Sequence, residues 1–267
     1  MTQSDMSSVD ALQDELALAI RVADAADAMS LPYFEKRTFT LSRKADHSEV
    51  TEADRNTETA ITDLLVNARP RHAIYGEEHG TIGDADSTWT WVIDPIDGTS
   101  NFVRGVPVWA TLIALVHREH GPLLGVVSAP AMGRRWWGGR DLGAFANGRP
   151  IRVSDVNNVH EAQVSVTFNK GWDEAGRTED LVRLQQSAYR ARGYGDFWQH
   201  MLVAEGAVDI AVDAIGLAPY DNAAVQAVVE AAGGVHTDRF GRRDYTSTSA
   251  ISSNGRLHSA VVGILGA

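Results

Sequence analysis

The chain has 267 residues, 44% hydrophobic and 22% charged, which allows one large domain or two small ones around a sizeable core. Its formal charge of −11 argues against nucleic-acid binding, because no basic excess meets the phosphate backbone. Without cysteine it has neither disulfides nor thiolate metal sites and suits a reducing cytoplasm, and with no basic-then-apolar leader or run of roughly 18 apolar residues no membrane partner is expected.

Apolar positions Val9, Leu12, Leu16, Ala19, Ile20 and Ala23 recur at helical spacing, predicting a helix over 7–29 that opens with a Ser7/Asp10 capping box. Residues 34–41 read as a connector or short strand. Thr51 is a suitable N-cap with Asp54 at N3. The helix it starts is predicted to reach about Ala68, with Ile61, Leu64 and Leu65 inward and Pro70 beyond its end. A carboxylate in that place is ordinarily a capping aid. Residues 73–75 form a short strand that empties into Gly76-Glu77-Glu78-His79-Gly80. Adjacent Glu side chains point apart, so at most one of them shares a given site directly. Residues 81–88 read as a polar surface loop.

The centre of the sequence is the run from Trp89 to Gly105, WTWVIDPIDGTSNFVRG. Trp91, Val92 and Ile93 make a buried strand that is expected to stop at Asp94-Pro95-Ile96-Asp97, since proline donates no ladder hydrogen bond. Asp94 and Asp97 then bunch at the strand's end, an arrangement that costs several kcal/mol (order of magnitude) unless a cation neutralises it. Hard oxygen ligands suit Mg²⁺ or Mn²⁺ better than zinc. Gly98-Thr99-Ser100 offers backbone N–H groups and hydroxyls to a phosphate. The competing reading is an Asp-rich turn whose side chains cap backbone groups.

Beyond it, strands are predicted at 108–116 and 124–128, joined at Gly121-Pro122, and at 134–137, with a hairpin turn at Asn147-Gly148. A polar stretch over 154–161 marks a boundary between an N-terminal sub-domain, 1–155, and a C-terminal one, 156–267. In the second, a strand at 164–168, a helix at 179–191 and a loop at 192–197 lead into a helix ending near Gly206. A strand at 208–212 follows, with Asp209 and Asp213 beside it. Pro219 and Gly233-Gly234 bracket a helix that places Asp221 in its first turn. Residues 250–252 and 257–265 close the chain as strand and helix. His117-Arg-Glu-His120 lacks the H-E-x-x-H layout, and no P-loop, G-x-S-x-G elbow or cysteine nucleophile is present.

Gly76-Glu77-Glu78, Trp91-Val-Ile-Asp94-Pro-Ile-Asp97-Gly98-Thr99-x-Asn101-Phe102, and Tyr220-Asp221 before an Ala-rich helix ending in Gly233-Gly234 together resemble the inositol monophosphatase family of Mg²⁺-dependent phosphatases. Further stretches, among them 102–110, Tyr194-Gly-Asp-Phe197 and 202–209, look most like its actinobacterial histidinol-phosphate phosphatase branch. The resemblance implies an α/β (α+β layered) fold, an alternating α-β-α-β-α sandwich, and usually a homodimer. It implies two or three Mg²⁺ ions, replaceable by Mn²⁺, on Glu77, Asp94, the Ile96 carbonyl, Asp97 and Asp221. Thr99 with Asp54 would orient and deprotonate a metal-activated water for in-line attack on a phosphate monoester, with Glu78 assisting. Gly98 and Thr99 N–H groups would hold the phosphate, while Asp97, Asp196, Asp213 and Arg192 are candidates for the substrate's other end. Asp196 could equally cap the helix after it. Against the related pattern, the segment 213–220 is about one residue longer, Tyr220 replaces Trp, and Ser100 stands where Lys is common. L-histidinol phosphate is the expected substrate, with inositol 1-phosphate or a broader set of sugar phosphates as the alternative and an inactive metal-binding interaction protein as a remote one.

Overall fold

The computed structural model describes residues 9–44, 48–84, 86–213 and 215–265. Helix α1 (Val9–Lys36) buries Leu12, Ala19, Val22 and Ala23 along the predicted stripe, but it runs past 29 and carries Pro32 inside it. The extension is held by aromatic packing: Phe34 lies 5.5 Å from Phe102 and 5.4 Å from Trp109, centroid to centroid. Residues 34–36 are therefore helical rather than a connector, and Ser7 of the predicted capping box lies outside the described residues. Strands β1 (Leu41–Arg43) and β2 (Glu49–Thr51) pair antiparallel. Helix α2 (Glu52–Ala68) has the predicted Thr51/Asp54 capping box. Its buried line runs through Asp54, Glu58, Ile61 and Leu65; Leu64 falls off that line and is 42% exposed, contrary to expectation.

Next come β3 (Ala73–Gly76), β4 (Gly80–Ile82) and β5 (Trp89–Asp97). The predicted loop over 81–88 thus opens with a short strand. Strand β5 does not end at Pro95. Its register against β6 (Ala110–His117) moves from Asp94↔Leu112 to Asp97↔Ala110. Three steps along one strand answer two along the other, a bulge in which proline's missing N–H is tolerated. The Pro95 carbonyl is also used, accepting the Thr111 hydroxyl at 2.8 Å. After the short helix α3 (Thr99–Arg104) and β6 the chain continues through β7 (Gly121–Ala129), β8 (Arg134–Gly139), β9 (Gly143–Ala146) and β10 (Arg149–Ile151). Asn147 (φ 47°) and Gly148 (φ 78°) form the two-residue hairpin turn. These strands make one sheet in the order β10-β9-β8-β7-β6-β5-β3-β4.

The remainder builds a second sheet, with β11 (Gln163–Val166), helices α4 (Lys170–Glu174) and α5 (Thr178–Ser187), β12 (Arg190–Arg192) and α6 (Asp196–Ala204). Then come β13 (Ile210–Asp213), α7 (Pro219–Ala231), β14 (Val235–Thr237), β15 (Ala250–Ser253) and α8 (His258–Leu265). The order is β12-β11-β13-β15-β14. The helix predicted over 179–191 ends at Ser187, and Arg190–Arg192 instead adds an edge strand parallel to β11.

Alternation along β5 and β6 sends side chains to both faces of the larger sheet. Trp91, Ile93, Ile113 and Leu115 meet α1 and α2. Val92, Leu112 and Ala114 meet Met201 of α6 and Ala224 and Val228 of α7. The smaller sheet packs Val203 of α6 against Ala211 and, on its far face, Val164, Ile210 and Val212 against α5 and α8. The result is five alternating layers, α-β-α-β-α, with α6 and α7 between the sheets. Among the described residues no helix is long and apolar enough to cross a membrane.

Candidate active site

The site forms where β5 ends and α7 begins. Asp94 and Asp97 flank the bulge; Asp221 stands in the first turn of α7, where its carboxylate accepts the Ala218 N–H at 2.6 Å. One carboxylate oxygen from each of Asp94, Asp97 and Asp221 lies within 4.8 Å of the others. Burial first, then the charges of Glu77, Asp97 and Asp221, push the Asp94 carboxyl well above the usual range. Burial and the charges of Asp196 and Asp221 do the same to Asp97. Burial and neighbouring acids, Glu77 foremost, raise Asp221 to about 7. Three carboxylates so placed cannot all ionise unless cations stand among them, and an all-oxygen donor set fits a hard divalent ion. The Ile96 N–H donates to Asp94 at 3.0 Å, so the backbone that carries the Ile96 carbonyl is held against the same carboxylate.

Glu77 enters from the end of β3 and lies within hydrogen-bond reach of Asp94. Burial raises its carboxyl, opposed by Lys44. The Lys44 ammonium bridges Glu77 at 2.7 Å and Glu78 at 2.6 Å. Burial alone would lower the Lys44 pKa, but its bonds to the two glutamates outweigh that and raise it. The turn itself is shaped by Glu58, 1% exposed, which accepts the N–H groups of Glu78 and His79, each at 2.8 Å. A Cβ on Gly76 would sit 2.0 Å from a Glu58 oxygen, so a larger residue there must displace the Glu58 carboxylate.

Asp54 serves two partners at once. One oxygen accepts the Thr51 N–H (2.8 Å) and hydroxyl (2.6 Å), completing the helix cap. The other accepts the Thr99 hydroxyl at 3.1 Å, which also lies 3.0 Å from the Ile96 carbonyl. Burial raises the Asp54 carboxyl to about 6 against the lowering effect of the Thr51 bonds. Gly98 precedes Thr99 with φ 82°, and a Cβ there would meet the Val108 carbonyl at 3.0 Å, a position for glycine alone. Gly98, Thr99, Ser100 and Glu77 line a cleft of about 450 Å³ with Arg43, Ser48 and Glu49 of the β1–β2 hairpin.

Helix α6 borders the same acids. Its Phe197 N–H donates to Asp97 at 2.9 Å. Asp196 does not cap it; Gly195 holds the N-cap position, and Asp196 accepts the Asn101 amide at 2.8 Å. Burial, then the charge of Asp213, raises the Asp196 carboxyl to about 6. Asp213 accepts Gln199 at 2.7 Å and His200 at 2.9 Å on one oxygen. Arg192 stands apart: exposed on β12, it donates to the Ala191 carbonyl.

Lys44, Glu58, Gln199 and His200 were not foreseen from sequence. Glu58 could have been, as a charge on the apolar line of α2, four residues after Asp54. His200 is a lone imidazole among the apolar positions of α6. Lys44 had no local signal, because its partners are more than thirty residues away.

The inositol monophosphatase family model matches residues 11–266. The histidinol-phosphatase of Streptomyces coelicolor is 44% identical over 260 residues, spanning 94% of this chain and 97% of that protein. That of Mycobacterium tuberculosis is 44% identical over 258 residues, spanning 93% and 96%. Among solved structures, the IMPase of Thermotoga maritima superposes with a TM-score of 0.84 at 30% identity, covering 95% of this chain and 97% of that one. With Asp94, Asp97 and Asp221 brought within 4.8 Å of one another and the likeness running the length of the molecule, the chain belongs to the inositol monophosphatase family.

Proposed function

We propose that the protein is a Mg²⁺-dependent phosphatase that hydrolyses L-histidinol phosphate to L-histidinol and inorganic phosphate. The observation that carries the chemistry is the convergence of Asp94, Asp97 and Asp221 within 4.8 Å. The substrate assignment is supported by two histidinol-phosphatases, each 44% identical across nearly the whole chain. With that substrate the reaction belongs to histidine biosynthesis in the cytoplasm, and the homodimer usual in the family is the assembly we expect.

Glu77, Asp94, the Ile96 carbonyl, Asp97 and Asp221 would hold the cations. Divalent ions in such a site acidify water and neutralise phosphoryl oxygens. The chain's own groups do the rest. The Thr99 hydroxyl, aligned on Asp54, takes a proton from the attacking water and passes its own to the Asp54 carboxylate. An acceptor poised near 6 is matched to neutral pH. The water oxygen bonds to phosphorus as the ester P–O bond breaks; the departing alkoxide takes a proton from solvent, and Asp54 returns its proton to solvent afterwards. Gly98 and Thr99 N–H groups steady the phosphate, and Glu78, held by Lys44 and Glu58's turn, supports the water side. At the other end Asp97, Asp196 and Asp213 present negative charge to the substrate amine, with Arg192 further out.

Phosphate release measured with Mg²⁺ on L-histidinol phosphate, inositol 1-phosphate and fructose 1,6-bisphosphate tests this reading. A preference for L-histidinol phosphate is expected. A preference for inositol 1-phosphate would overturn the substrate while leaving the chemistry in place, and no release from any monoester would overturn both.

A further inference from the structure

Helix α6 touches the site twice, and its second contact has no counterpart in the chemistry above. Near its start, the Phe197 N–H holds Asp97. One turn on, Gln199 and His200, 0% and 4% exposed, both donate to the same oxygen of Asp213. A carboxylate only accepts, so the His200 Nε2 carries the proton in that bond. The Nδ1 of His200 meets the Ser252 hydroxyl at 2.8 Å, and that hydroxyl meets the Nδ1 of His236 at 2.9 Å. Burial and the neighbouring His200 push the His236 pKa well down, so this ring is neutral. With the His200 Nδ1 accepting the Ser252 hydroxyl, the chain has one direction: His236 donates to Ser252, Ser252 to His200, His200 to Asp213. Gln199 is oriented just as firmly, because its carbonyl accepts the Ser165 hydroxyl at 2.9 Å and leaves only its amide for Asp213.

Four buried side chains therefore turn one oxygen of Asp213 away from solvent and leave the other with no hydrogen-bond donor among the described residues. The charge of Asp213 raises both the Asp196 and the Asp221 carboxyls, so Asp213 stands beside the acidic cluster. No lysine or arginine among the described residues forms an ion pair with Asp196 or Asp213.

We propose that His200 is a positioning residue for substrate selectivity: through the His236–Ser252–His200 chain it orients Asp213 so that its second oxygen receives the ammonium group of an aminoalkyl phosphate. Because the same helix holds Asp97, which belongs to the acidic cluster with Asp94 and Asp221 as well as bordering the amine end, α6 sets the spacing between the cation cluster and Asp213. The inference rests on the substrate reading above and deepens it.

The test compares kcat and KM for L-histidinol phosphate and for glycerol 2-phosphate, which has no cation, in the wild type and in His200→Phe, His200→Gln and Ser252→Ala. His200→Phe is expected to raise KM for L-histidinol phosphate about tenfold, the scale of a lost charge-assisted hydrogen bond. Its kcat, and both constants for glycerol 2-phosphate, should change little. His200→Gln, whose amide can donate from nearly the same place, should recover most of the loss. Ser252→Ala frees the imidazole to adopt the other tautomer and should shift KM in the same selective way; it decides the matter if His200→Phe does not fold. A rise in KM shared by both substrates, or none at all in a folded variant, makes His200 a core histidine and overturns the inference. A wild-type enzyme with no preference for the amine overturns the substrate reading and the inference with it, and that result is visible before any variant is made.

Discussion

The two oxygens of Asp54 face different partners, so one carboxylate both caps α2 and aligns Thr99, the pair that the proposed mechanism uses for proton transfer. The Thr51 side takes the place of a missing intrahelical bond, while the other oxygen aligns the Thr99 hydroxyl at 3.1 Å. Removing the hydroxyl in Thr99→Ala should lower kcat by about 10²–10⁴, the usual worth of a positioned proton acceptor system. Asp54→Asn should do the same, and the double variant should lose little more than either, since the two act as one unit; steady-state kinetics would show it. With the Asp54 carboxyl at about 6, its ionised form is lost as pH falls through that value, so kcat/KM should decline below about pH 6 and the decline should be absent from the residual activity of Asp54→Asn. At Gly76, a methyl group would collide with Glu58 at 2.0 Å. Gly76→Ala should cost about 1–3 kcal/mol in denaturant melts and should weaken cation binding too, because the turn that aims Glu77 is the part displaced.

Among the elements, α7 decides whether the site closes at all. It brings Asp221 to β5 only because it lies directly on β7, where Gly125 leaves no side chain in the way. A Cβ there would come 2.5 Å from the Ala224 carbonyl and 2.9 Å from its Cα, both backbone atoms that cannot swing aside. Gly125→Ala should therefore push the helix off the sheet, costing about 1–3 kcal/mol of stability. It should raise the cation concentration needed for half-maximal activity, although the residue touches no ligand; a change in stability alone would sever that connection between packing and site. The bulge in β5 has a similar part. By taking Pro95 into the strand instead of ending it, the chain keeps Asp94 in the ladder and still brings the Asp97 carboxylate beside that of Asp94.

At the scale of the whole molecule, the converging acids tie stability to whatever neutralises their charge. A carboxyl whose folded pKa is raised binds its proton more tightly in the folded state. Its stabilising contribution is full below about pH 4 and is lost as pH rises through the folded value, about 7 for Asp221. The metal-free protein should therefore lose thermal stability between about pH 5 and pH 8. Mg²⁺ at about one hundred times its dissociation constant should restore about 2.7 kcal/mol, or about 5–10 °C in a chain of this size; a Tm indifferent to both pH and Mg²⁺ would contradict the clustering. What the sequence settled by itself was whatever depends on near neighbours: the Thr51/Asp54 cap, the carboxylates beside Pro95, the Asn147-Gly148 turn, and Asp221 at a helix start. Those are matters of backbone preference and spacing over a few residues, and a family resemblance carried the rest of that reading. Only the tertiary structure decided that Lys44 meets Glu77, that Glu58 shapes the Gly76 turn, that α1 runs through Pro32 onto an aromatic cluster, and that His200 stands behind Asp213. These depend on which surfaces the two sheets bury between them. A charge or an imidazole placed on an apolar face has no partner until distant segments are packed against it.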